Sequence, residues 1–155
     1  MSDTDRTTAL GLARYAVEFY EAAVAADEAL EDRPEFLSVP SVPVLFLTAH
    51  SIELILKSYL RHRGYTLKQL SGLNHNLKKA WEAAVGREIE KFVVLNQVDV
   101  GVLGLISDLH SSTELRYIVT GAKIFPSFGA LQDLTEKLLD AIGPEVGYRS
   151  YGRGV

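Results

Sequence analysis

Apolar residues recur along most of this chain at steps of three and four, the period of amphipathic helices. Leu12, Ala16, Phe19, Ala23, Ala26 and Leu30 make a first stripe, with Arg14, Glu18, Glu21 and Glu28 off it. The spacing predicts a helix from about Thr4 to Glu31, capped by Asp3, Thr4 or Asp5. It ends at Asp32-Arg33-Pro34, because a residue before proline is pushed out of the helical region. Pro34, Pro40 and Pro43 mark a loop. A second helix is expected from about Pro43 to His62, stopping near Gly64. Leu45, Leu47, Ala49, Ile52, Leu54, Ile55, Leu56, Tyr59 and Leu60 cover more than half of its circumference. Such a helix belongs in the middle of a bundle.

Leu67 to Asn74 reads as a loop around Ser71-Gly72, with Asn74 as the cap of a short helix from His75 to Val85 that Gly86 ends. Phe92 to Leu95 has strand propensity but no partner strand, so residues 87–96 are read as a short helix or ordered loop. Val98 to Glu114 predicts a further helix, in which Gly101 and Gly104 would permit close packing. Ser127 to Ile142 predicts the last one, stopped by Gly143-Pro144. The expected architecture is an all-α, up-and-down antiparallel bundle of about five helices. Residues 1–143 form one domain, and residues 144–155 form a tail rich in Gly, Tyr and Arg. That tail reads either as a mobile terminus or as a stacking-and-charge segment for single-stranded RNA.

Length and composition narrow the class. A chain of 155 residues fits a single domain, and 47% apolar with 23% charged residues excludes disordered and collagen-like chains. The absence of cysteine excludes disulfides, thiol nucleophiles and thiolate metal sites. A formal charge of −4 argues against global binding to a nucleic-acid backbone and leaves room only for a local basic patch. No basic segment followed by an apolar one opens the chain, so no signal peptide is expected. The run from Val42 to Leu60 carries His50, Glu53 and Lys57 and is too polar for a membrane span. A cytoplasmic location with no membrane partner is expected.

Candidate chemistry concentrates in three places. His50, Glu53, Lys57 and Arg61 fall within an arc of about 80° on the second helix, at 100° per residue. This stripe is either an ordinary wet face with a Glu53–Lys57 pair, or a partly buried edge that faces a groove or twofold axis. His75 and Asn76 open the next helix, where a histidine serves structure unless a partner lies within hydrogen-bond reach. His110, Glu114 and Arg116, with Tyr117 following, combine a base, a carboxylate and an anion binder, the most catalytic-looking cluster in the chain. His50, His75 and His110 can meet only through the fold, and no His-x-x-x-His pair exists. No metal and no cofactor are therefore expected. Phosphate-binding Gly loops, nucleophile elbows and metalloprotease helices are absent.

The segments AHSIELILKSYLRHRG (49–64), HNLKKAWEAA (75–84) and LRYIVTG (115–121) together resemble the HEPN superfamily of small helical domains. The resemblance spans roughly residues 40–140. It implies an up-and-down bundle, commonly a homodimer, tied to RNA cleavage, nucleotide handling, toxin–antitoxin pairs or defence. The matching positions are His50, Glu53 and Lys57, then His75, Asn76 and Leu77, then Arg116 and Tyr117. One departure matters. Ribonucleolytic members carry an Arg followed after four to six residues by a His, and no histidine here has an arginine at that spacing. The resulting expectation is a non-catalytic binding module for RNA, a nucleotide or a partner protein. Ligand-contacting residues would be His50, Glu53, Lys57, His75, Asn76, Arg116 and Tyr117. The alternatives are a ribonuclease with an unorthodox site built on His110, Glu114 and Arg116, and a purely structural dimerisation subunit.

Overall fold

The structure, a computed structural model, describes residues 6–36, 39–112 and 125–149. Within these residues the protein is an all-α helical bundle with no strand. Its helices are α1 (Ala9–Leu30), α2 (Val42–His62), α3 (Leu67–Gly72), α4 (Leu77–Val85), α5 (Gln97–Ser111) and α6 (Phe128–Glu145). Short 3-10 turns at Pro34–Phe36 and Ile89–Lys91 complete it. No helix among the described residues is long and apolar enough to cross a membrane.

The central rod is α2. Ser41 caps it by accepting from the Val44 amide, and Pro43 sits in the first turn, where its missing N–H costs nothing. Val44, Leu45, Ala49, Ile52, Ile55, Leu56, Tyr59 and Leu60 are all fully buried. Helices α1, α4, α5 and α6 pack around it. Alanines set the closest of these approaches. Ala13, Ala16 and Ala23 on α1 are fully buried, and without long side chains the two backbones come near enough for hydroxyls to bridge them. Ser51 Oγ donates to the Ala16 carbonyl at 2.6 Å and Ser58 Oγ to the Ala9 carbonyl at 2.5 Å. As the chain advances along α2 from 51 to 58, its partner on α1 retreats from 16 to 9, so the pair is antiparallel. The inner face of α1 runs through Ala13, Ala16, Val17, Tyr20 and Ala23, rotated from the predicted stripe. Leu12, Phe19, Ala26 and Leu30 lie at its margin.

The element boundaries depart from expectation in instructive ways. Thr8 caps α1 by accepting from the Gly11 amide; Asp3, Thr4 and Asp5 lie outside the described residues. Leu67 to Gly72, read as loop, is helical. A capping box holds it, with Thr66 accepting from the Gln69 amide and the Gln69 side chain accepting from the Thr66 amide. Asn74 is not a cap: it lies in the left-handed region at φ 51° and makes the turn, and Asn76 caps α4. Residues 87–96 form the 3-10 turn and an irregular segment, with no strand. The next helix, α5, begins at Gln97, one residue earlier than predicted, and Asn96 caps it in a second box with Asp99. Gly101 and Gly104 do not serve close packing, since a β-carbon on either would meet nothing within 4 Å. Gly143-Pro144 does not stop α6. Pro144 lies in its last turn, and the chain leaves the helix at Gly147, whose φ of 91° suits glycine.

Candidate functional site

The polar stripe of α2 turns inward at its middle. Glu53 is 6% exposed in its side chain, at a depth where a carboxylate without partners would be costly. Three partners surround it. One oxygen, Oε1, lies 2.8 Å from His75 Nδ1 and 2.8 Å from His110 Nε2. The other, Oε2, accepts from Lys57 Nζ at 3.1 Å. Burial pushes the Glu53 carboxyl upward, but the His110 hydrogen bond, the Lys57 charge and the His75 hydrogen bond outweigh it. Together they bring it down to about 2. The carboxylate is therefore ionised, and its charge is what holds the cluster together.

Each partner arrives on a different element. Lys57 stands one turn after Glu53 on α2, the i,i+4 spacing that the sequence displays. Its ammonium also donates to the Asn74 carbonyl at 2.8 Å, tying the left-handed turn to the central helix. That turn delivers His75, whose side chain is 41% exposed at the rim. His110 comes from the last turn of α5 and is completely buried. Asn76 anchors the start of α4: its Oδ1 accepts from the Lys79 amide at 3.0 Å, while Ser107 on α5 accepts from the Lys78 amide at 3.1 Å. The adjacent amides at this helix start are thus already bonded within the protein.

An aromatic wall closes the inner side. The His50 ring meets Phe19 edge-on with centroids 4.6 Å apart and stacks on Phe46 at 6.2 Å. Phe46 also lies 6.0 Å from the His110 ring. His75 and His50 flank His110, at 5.5 and 6.4 Å between ring centroids. Three histidines far apart in sequence thus gather around one carboxylate.

No family model, curated protein or solved structure matches the chain. The site must be read from its own geometry.

That geometry brings together Glu53, Lys57, His75, Asn76 and His110, with His50 adjoining. Glu114, Arg116 and Tyr117 lie outside the described residues. Arg61, the last member of the predicted stripe, is turned to another use: it donates to the Thr7 carbonyl at 3.1 Å and the Tyr65 carbonyl at 2.9 Å, pinning the end of α2 to its neighbours. Sequence reasoning missed Phe19, Phe46, Ser107 and the Asn74 carbonyl. The aromatic residues read as core, and a backbone carbonyl leaves no trace in a sequence. One ring nitrogen each from His50 and His110 and one Glu53 oxygen lie within 4.8 Å of one another. This convergence supplies what the sequence spacing lacked for a metal site.

Chemically, the site is a buried anion with a mostly buried ammonium, Lys57, beside it and one imidazole, His75, leading outward to solvent. The exposed Lys78 and Lys79 lie beyond His75 on the first turn of α4. The result is a local basic rim on an acidic protein.

Proposed function

We propose that this chain is a HEPN-like binding module that takes an anionic ligand, a nucleotide or a short single-stranded RNA, at the rim formed by His75, Lys57, Lys78 and Lys79. One observation carries the reading: the Glu53 carboxylate shares one oxygen between two imidazoles, and only His75 of the two reaches the surface. Buried charge of this kind adds little net stability compared with an apolar core. Perturbed carboxylates in such a cluster concentrate at functional sites. Here Glu53 orients His75 and Lys57, and these with the flanking lysines meet phosphate oxygens. The sequence resemblance adds Arg116 and Tyr117 as ligand contacts and a second copy of the chain as partner.

Isothermal titration with nucleoside phosphates and fluorescence anisotropy with short labelled RNAs test this reading. Saturable binding is expected for one of the two, weakened at least about tenfold in His75→Ala and Lys57→Ala, as for loss of a charge-assisted contact. No saturable binding to either ligand class defeats the proposal. A histidine oriented by a carboxylate is also the base half of an acid–base pair, which favours ribonuclease activity as the second reading. RNA breakdown in the same samples, abolished in His75→Ala, would establish it. His110 is buried out of reach of a phosphodiester, so its role in either reading is to position Glu53.

A further inference from the structure

We infer that the inner wall of this site binds one divalent transition-metal ion, through a ring nitrogen of His50, a ring nitrogen of His110 and a carboxylate oxygen of Glu53. The inference shares Glu53 and His110 with the anionic-ligand reading but places its ion on the inner wall, and metal titration reports on it separately from nucleotide or RNA titration.

The donor set comes first. The three ligand atoms lie within 4.8 Å of one another. Donors on one tetrahedral zinc ion, at bond lengths of about 2.0–2.2 Å, stand roughly 3.4 Å apart, so closure asks for movements of about 1 Å. His50 and Glu53 are three residues apart on α2 and share a face, and His110 is delivered by α5. Two imidazoles with one carboxylate select borderline ions such as zinc, cobalt or nickel, whereas calcium and magnesium require shells of oxygen.

A second observation points the same way. His110 Nδ1 is buried and has no hydrogen-bond partner. Leaving a buried polar atom unsatisfied is costly. An ion that takes Nδ1 satisfies that atom by coordination, whereas one that takes Nε2 replaces the Glu53 hydrogen bond and leaves Nδ1 as it is. The surroundings suit coordination as well. Lys57 holds Oε2 at 3.1 Å, which leaves the Oε1 edge of the carboxylate turned toward the imidazoles. Phe19 and Phe46 restrain the His50 ring, and such orientation of metal-ligating histidines strengthens binding. Three protein donors leave a further coordination position open, the arrangement of sites that bind a small ligand on the metal.

The test uses the full chain, stripped with a chelator and titrated with Co2+ and then Zn2+. We expect one ion per chain, a visible Co2+ absorption band of tetrahedral intensity that Zn2+ abolishes, and a higher melting temperature in Zn2+. His50→Ala is the decisive variant, because His50 is only partly buried and the variant's circular dichroism shows directly whether the fold survives. It should keep its metal-free circular dichroism and lose affinity by about tenfold or more, as should His110→Gln. His62, paired with Glu145 at 3.7 Å far along α2, is the control, and His62→Ala should bind like the unmodified chain. The proposal falls if the unmodified chain shows no saturable Co2+ or Zn2+ binding below millimolar concentration. It falls equally if folded His50→Ala binds with unchanged affinity, or if His62→Ala abolishes binding.

Discussion

At the scale of single residues, Glu53 dominates. Its ionised form is favoured by two imidazoles and an ammonium against the cost of burial, and its carboxyl titrates near 2 instead of 4.5. A depressed carboxyl stabilises the fold above its ordinary pKa, and that contribution disappears as pH falls from 4.5 toward 2. At about 1.4 kcal/mol per unit, the amount at stake is about 3 kcal/mol. Urea denaturation of chelator-treated protein should therefore show Glu53→Gln less stable than the parent by about 3 kcal/mol at neutral pH. The gap should close as the pH approaches 2. A pH-independent gap would mean that shape, not charge, holds the cluster. The spacing of His50, Glu53 and Lys57 was legible in the sequence. That Glu53 faces inward was not, because the same spacing describes a solvated ion pair.

At the scale of elements, helix ends follow local chemistry closely. Serine, threonine or asparagine caps every described α-helix, and each cap accepts from the amide three residues on. Asn96→Ala should lower stability by about 1 kcal/mol, measured by thermal or chemical unfolding, because it exposes the Asp99 amide and breaks a reciprocal box. Gly101 offers the opposite case. It lies mid-helix on an exposed face with room for a β-carbon, so Gly101→Ala should raise stability by about 1 kcal/mol. The misread third helix belongs to this scale. Thr66 and Gln69 carry the capping-box spacing in plain sight, but Ser71-Gly72 reads as a turn, and a helix this short has too little periodicity to show. Pro144 misled for a related reason. Proline disrupts a helix through the carbonyl one turn back, and in a last turn with Gly143 before it little structure remains to break.

At the scale of the whole molecule, the tight α1–α2 contact sets the position of everything else. Ala16 is fully buried and its carbonyl accepts from Ser51. Ala16→Leu should force the two helices apart and cost about 1–3 kcal/mol, with unfolding midpoint as the readout. Because Phe19, one turn further along α1, packs on His50, the same substitution should disturb the site's inner wall. Any metal affinity should weaken together with stability, a linkage that paired unfolding and Co2+ titrations would detect. Helical periodicity, the proline-marked loop and the apolar girth of residues 42–62 determined on their own that the chain would be all-α with that segment at its centre. Those signals are local, carried by side chains a turn or less apart. Tertiary structure alone decided that His75 and His110, one 22 and the other 57 residues away from Glu53, meet on the same carboxylate oxygen. Helix phase and packing distance govern such meetings, and small residues like Ala16 adjust both through close approaches that no periodicity records.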